Sequence, residues 1–248
     1  TSLDVLSWGV QQIRSGRADA AFVGATESPL TALNFSAFSA LGILSSHNDE
    51  PETAMRPFDA SGDGLVLGEA AACLILERAS NARARGARIL GSVTSYGFSS
   101  EGNNPILIEK EGEALSRAID AALQHGGFRP TEIDAVHGHG VALTMYDRGE
   151  TNAYKRSFGQ HAYRIPISAT KAMTGQTYSV GGFLNIAGAL MTINEGIMPP
   201  TLNLTNPHPE CDLDYVPLRA RRNEVDHVLV TTLSFGGTHG AAVISRAN

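Results

Sequence analysis

Hydrophobic positions along the chain alternate between helical and strand spacing. Leu3, Leu6, Val10 and Ile13 recur every three or four residues, which predicts a helix capped by Thr1 or Ser2 and stopped at Gly16. The apolar residues 20–24 predict a buried strand, with a polar turn at 25–28. Residues 70–76 are continuously apolar and read as a second buried strand, followed by a short basic helix at 81–85 and a strand at 89–98. Residues 99–110 are a polar loop. Leu115, Ile119, Ala122 and Leu123 then mark an amphipathic helix ended by Gly126 and Gly127. A turn at Pro130 and Thr131 leads into a strand at 133–136, which carries His137, Gly138, His139 and Gly140 at its carboxyl end.

A second cycle follows, with a helix at 148–158, a strand at 165–168 and a glycine-spaced loop at 171–182. Beyond it, Phe183, Ile186, Leu190 and Ile193 line one helix face, while Ala187, Gly188 and Ala189 line another. Apolar nearly all round, this segment predicts a central helix between two layers. Strands at 228–233 and 241–245 flank the turn Gly236, Gly237, Thr238. Alternating strands and helices predict an α/β protein with a mainly parallel sheet.

Composition narrows the class. The 248 residues are 42% hydrophobic and 18% charged, the balance of an ordinary globular protein. A net charge of −6 argues against nucleic acid or an anionic membrane as partner. No segment is apolar for the length of a bilayer span, and no basic-then-apolar leader opens the chain. Cys73 and Cys211 have neither metal-ligand nor disulfide spacing. A cytoplasmic protein is expected. Cys73 lies in an apolar strand and reads as inert core, and Cys211 sits among carboxylates that disfavour a thiolate.

Reactive groups in such folds gather at the carboxyl ends of strands. Three candidates stand there: His139, the 171–176 loop with Lys171, and the turn Phe235, Gly236, Gly237. Brought together, a histidine, amide donors and backbone N–H groups could stabilise a thioester oxygen as charge develops. Separately, each has a plainer reading as a structural histidine, a paired cation and a simple turn. His137 and His139 have no acidic or cysteine partner nearby at ligand spacing, so no metal site is expected. Residues 62–64 lack the Gly-Lys-Ser/Thr ending of a phosphate loop.

At these residues a family resemblance emerges. GATES at 24–28, RPFDASGDGLVLGEAA at 56–71, VHGHG at 136–140, SATKAMTG at 168–175, PPTLNL at 199–204, PECDLDYVP at 209–217 and SFGGTHG at 234–240 resemble β-ketoacyl-ACP synthases and type II polyketide ketosynthases. The match runs in order over nearly the whole chain. It implies a thiolase-like fold, five stacked αβαβα layers, usually dimeric. By that alignment residues 1–86 end the amino-terminal half and residues 87–248 form the carboxyl-terminal half. Most of the first half, with the family's acylated cysteine, would lie upstream of Thr1. An amino-terminal threonine nucleophile is a remote rival.

The resemblance assigns roles residue by residue. His139 matches the first histidine, Lys171 the lysine and Phe235 the gating phenylalanine, with Gly236 and Gly237 beside it against the substrate. Glu69 matches a buried glutamate near the site. Four departures stand out. Gln176 replaces the second histidine. Val141 and Leu143 replace two threonines that hold the pantetheine arm. Tyr146 precedes Asp147 where an asparagine is usual, and His239 replaces an asparagine. A glutamine can donate a hydrogen bond but cannot carry a proton. Residues 175–182 look like chain-length factors, the non-condensing partners of ketosynthases, while His139 and the 209–217 segment look like the active subunit.

The expected function is therefore a subunit of a type II polyketide or polyene ketosynthase complex, in a chain-length-factor-like role. A Cys-His-Gln condensing enzyme and a non-catalytic scaffold for a carrier protein are the alternatives. No bound cofactor is expected. The phosphopantetheine arm of an acyl carrier protein would bring the substrate, and a ketosynthase homologue would be the hetero- or homodimer partner. A coenzyme A thiolase fits least, because residues 234–240 contain no cysteine.

Overall fold

The computed structural model describes residues 2–104, 106 and 108–247. Helix α1 spans Ser2–Arg14 and buries Leu3, Leu6, Val10 and Ile13, as their spacing predicts. Thr1, the other candidate cap, lies outside the described residues. Strand β1 (Ala20–Glu27) pairs antiparallel with β2 (Ala70–Glu77) along its whole length. Between them α2 (Ala32–Ala40), which the spacing did not predict, is capped by Thr31 through the Asn34 N–H at 3.2 Å. After β2 comes α3 (Ala79–Ala84), and then β3 (Ser92–Ser100), α4 (Glu113–Gly126) and β4 (Ala135–His137). The rest comprises α5 (Thr144–Phe158), β5 (Ile167–Ser168), α6 (Lys171–Thr174), α7 (Gly181–Glu195), β6 (Ile197–Met198), β7 (Arg221–Arg222), β8 (His227–Ser234) and β9 (Thr238–Ser245).

Five strands form one sheet in the order β3-β9-β8-β4-β5. β4 runs parallel to β5 and β8, whereas β9 runs antiparallel to both β3 and β8. The sheet is mixed rather than mainly parallel, because β8 and β9 are joined by a tight turn that can only reverse the chain. Helices α4 and α5 cover one face, and α7 covers the other. Packing is close enough that a Cβ at Gly97 of β3 would stand 2.2 Å from the Ala118 carbonyl of α4. Helix α1 packs on α7 and on β1, so four layers follow one another, α, β, α, β.

The unit α1-β1-β2 repeats the plan of α7-β8-β9, a helix followed by two antiparallel strands of eight residues. In the five-stranded sheet that pair is flanked by β3 on one side and by β4 and β5 on the other. Among the described residues β1 and β2 have no such flanking strands. Their burial consequently departs from expectation: Phe22 is 76% and Ile75 71% exposed, and Cys73 is exposed rather than core. The two strands were predicted as buried, and β1 also continues to Glu27 through the predicted turn. An apolar run records the potential to be covered, not the presence of the cover. Helix α2, likewise, buries none of its residues.

Candidate active site

Strand β4 ends beneath the site, and two carboxylates from α5 fix the loop that follows it. Glu150 accepts the N–H of His139 at 2.5 Å and that of Gly140 at 2.8 Å. Asp147, one helical turn earlier, accepts from Val141 at 2.9 Å and from Phe58 at 2.7 Å. Gly140 has φ +35°, and a Cβ there would stand 2.4 Å from Ala169 Cβ. The loop can approach β5 this closely only without a side chain. Burial drives the Asp147 carboxyl up to about 7 despite its two N–H donors.

His139 is thereby presented with its two nitrogens in different surroundings. Nδ1 lies 3.3 Å from Lys171 Nζ and accepts the Leu233 N–H at 3.4 Å. Lys171 Nζ also donates to the His139 carbonyl. With Nδ1 taken as acceptor, Nε2 holds the proton and is the nitrogen left to donate. Desolvation, and then the charge of Lys171, hold His139 well below the usual histidine range. Lys171 is itself buried, which lowers its ammonium to about 8 against the pull of Glu150 and Asp147. The neighbourhood is a neutral imidazole donor backed by a buried cation, the polarity needed to stabilise a developing oxyanion.

Gln176 enters from a different segment. Its backbone forms a bridge with Leu67, donating to Val66 at 2.7 Å and accepting from Gly68 at 3.1 Å. A Cβ at Gly68 would stand 2.2 Å from the Thr174 carbonyl, so this glycine permits the crossing. The side chain is buried, and Oε1 has no hydrogen-bond partner. His139, Gln176, Val141, Leu143 and Phe235 all line one cavity of about 230 Å³, together with Glu27, Leu65, Tyr146, Tyr178, Ser179, Leu233 and Ser234. Phe235 sits on the β8–β9 turn, its ring edge-on to Tyr146 at 6.3 Å and tilted against Tyr178 at 6.2 Å.

Other predicted residues are placed differently. Gly236 and Gly237 shape the turn, with φ of +84° and +67°, and neither lines the cavity. Glu69 is exposed, not buried, and binds the Ser28 hydroxyl at 2.6 Å and the Leu30 N–H at 3.1 Å. The buried carboxylates beside Lys171 are instead Asp147 and Glu150. Sequence reasoning passed over Glu150, although its i, i+3 spacing from Asp147 places both on one face of α5. It also passed over Glu27 and Tyr178. His137 lies on the other side of the sheet from the cavity, bonded to Thr192 of α7 at 3.1 Å. Neither Cys73 nor Cys211 lines the cavity, and burial raises the Cys211 thiol to about 12. Among the described residues no group of three histidine, cysteine or carboxylate side chains could hold a metal. None of the described helices is long and apolar enough to cross a membrane.

Comparison with known proteins bears on this geometry. The family model for the β-ketoacyl synthase N-terminal domain matches residues 1–82, and that for the C-terminal domain matches residues 90–205. The tetracenomycin polyketide synthase ketoacyl synthase alpha subunit of Streptomyces glaucescens is 40% identical over 246 residues, covering 99% of this chain and 58% of that protein. A 3-oxoacyl-[acyl-carrier-protein] synthase 2 of Coxiella burnetii is 37% identical, covering 99% and 59% respectively. Among solved structures, a type II polyketide synthase acyl-carrier protein in complex with its ketosynthase bound to the hexaketide superposes with a TM-score of 0.97. It is 32% identical, covering all of this chain and 61% of that one. A β-ketoacyl synthase from Burkholderia phymatum superposes at 0.94 with 31% identity, covering 100% and 59%. The chain thus spans a little under three fifths of the curated relatives it matches, 58% for the Streptomyces glaucescens protein. Its layers are those of the thiolase-like fold, and the chain belongs to the β-ketoacyl synthase family.

Proposed function

We propose that the chain is part of a subunit of a type II polyketide ketosynthase complex that handles acyl chains carried by an acyl carrier protein. Its role there is that of a chain-length factor, shaping the cavity for the growing chain. The observation that carries this reading is Gln176, buried in the cavity wall with no ionisable nitrogen and with Oε1 unpartnered. An amide there cannot take up charge during decarboxylation of a malonyl thioester. Val141 and Leu143, apolar where the family's threonines hold the pantetheine arm, support it, since they offer that arm no hydroxyl.

A second reading has its own support. His139 with Nδ1 engaged, Lys171 behind it and Phe235 at the rim retain much of a condensing site. The curated relative from Streptomyces glaucescens is also a ketoacyl synthase alpha subunit. In that reading the protein condenses with a cysteine, His139 and Gln176, at a rate reduced on the order of a hundred- to a thousandfold by the missing donor. Intact-mass spectrometry of the native complex after incubation with an acyl carrier donor separates the two. An acyl adduct on the polypeptide containing this chain supports the condensing enzyme. An adduct on the partner subunit alone supports the chain-length factor.

A further inference from the structure

Three consecutive residues carry buried polar atoms without a partner. Gln176 Oε1, Thr177 Oγ1 and the Tyr178 hydroxyl are each closed off from solvent and make no hydrogen bond among the described residues. A buried donor or acceptor left unpaired has given up its water for nothing, so such atoms are rare in folded chains. Tyr178 carries a second local cost. Its φ is +41°, in the left-handed region that bulky side chains avoid. Residues held against such penalties cluster where a ligand is met.

The packing of the Tyr178 ring gives no reason for its hydroxyl. The ring stacks on Phe38 of α2, with centroids 5.1 Å apart and planes 14° from parallel, and tilts against Phe235. A phenylalanine would make both contacts equally well. Burial, and then the charge of Glu27, hold the phenol well above its usual range, so it keeps its proton and remains a donor. Tyr178 and Gln176 line one cavity with His139, whereas Thr177 does not line it. The cavity wall therefore presents a donor lacking an acceptor and an acceptor lacking a donor. A single alcohol supplies both. A carbonyl oxygen accepts but cannot donate, and a methylene does neither.

We propose that Tyr178 and Gln176 form a subsite for a hydroxyl on carbon 3 of a bound acyl chain, the Tyr178 hydroxyl donating to that oxygen and Gln176 Oε1 accepting from it. The subsite deepens the carrier-bound reading above and rests on it. Its place on the chain follows from His139, whose Nε2 is the nitrogen left to donate to a thioester carbonyl in the same cavity. The carbons next to that carbonyl then lie nearest the 176–178 segment.

The experiment is calorimetric titration of the intact natural polypeptide with the pantetheine amides of octanoic, 3-oxooctanoic and 3-hydroxyoctanoic acid, whose amide linkage does not transfer its acyl group. The 3-oxo amide is expected to bind about fivefold tighter than the octanoyl amide, and the 3-hydroxy amide about fivefold tighter again, one hydrogen bond at each step. Tyr178→Phe should bring the 3-oxo amide to the affinity of the octanoyl amide and leave the octanoyl amide unchanged. It should also raise the melting temperature, because an unpaired buried hydroxyl is removed. A preference that survives Tyr178→Phe would overturn the subsite. A fall in melting temperature would do the same, since the hydroxyl would then have its partner within the polypeptide. Equal binding of all three amides by the natural protein brings down the subsite alone, and this ranking needs no variant to fold. Binding of none of them brings down the carrier-bound reading and the subsite with it.

Discussion

Lys171 reaches His139 twice, through its carbonyl and within 3.3 Å of Nδ1. The ammonium therefore does more than fill space, because its charge is among the causes that keep the imidazole neutral. Lys171→Met should raise the His139 pKa toward the usual histidine range. Histidine NMR titration of the intact polypeptide checks this directly, and an unmoved His139 resonance would show that burial alone sets its ionisation. If the protein decarboxylates malonyl thioesters, the acid limb of that activity should move to higher pH in the same variant.

Gln176 offers a gain-of-function test. Gln176→His places an ionisable donor opposite His139, and malonyl decarboxylation should rise about ten- to a hundredfold where a competent cysteine is present. Release of labelled CO₂ measures it. An unchanged rate would remove this position from the chemistry.

Val141 and Leu143 make a separate prediction about the carrier arm. Leu143→Thr adds a hydroxyl to the cavity wall and should tighten binding of the phosphopantetheinyl carrier by about fivefold, the effect of one hydrogen bond near 1 kcal/mol. Val141→Thr puts its hydroxyl in a fully buried position and should lower stability as well. Calorimetric binding beside thermal melting separates the two effects.

Gly188 is where α7 passes over His137. A Cβ there would stand 2.7 Å from the imidazole Cε1. That ring is held by Thr192, so it cannot swing aside. Gly188→Ala should cost about 1–3 kcal/mol, read as a lower denaturation midpoint at unchanged slope.

The same histidine makes stability depend on pH. Full burial lowers His137 from 6.5 to about 4. The unfolded chain therefore binds the proton first. The associated stability is complete above about 6.5 and is lost as pH falls through about 4, amounting to about 3 kcal/mol. Asp147, raised from 3.8 to about 7, works in the opposite sense over the same range and is at least as large, so it masks the His137 slope in the natural protein. Denaturation of the intact polypeptide at a series of pH values should therefore show the His137 contribution as the difference between the natural protein and His137→Gln. The variant should lose less stability, or gain more, as pH falls from about 6.5 to about 4.

The sequence by itself determined the family, the helices other than α2 and α6, and the strands of the covered sheet. Leu115, Ile119 and Leu123 at helical spacing became the buried face of α4, and the continuous apolar character of α7 became its place between two sheets. His139, Lys171, Gln176 and Phe235 were legible because short motifs at strand ends carry them. Such local patterns fix which side chains point together, since spacing of 3.6 or 2 residues sets the faces of an element. The tertiary structure alone decided what covers each face and which distant segments meet. Phe22 and Ile75 have the apolar character of buried strands yet lie open, because burial belongs to the neighbours and not to the strand. Glu69 and Glu150 are indistinguishable as carboxylates in the sequence. One faces solvent beside Ser28, and the other supports His139 because α5 crosses the end of β4. The hydrogen bond between Glu101 and His239 joins residues 138 positions apart, a contact that only the register of β3 against β9 creates.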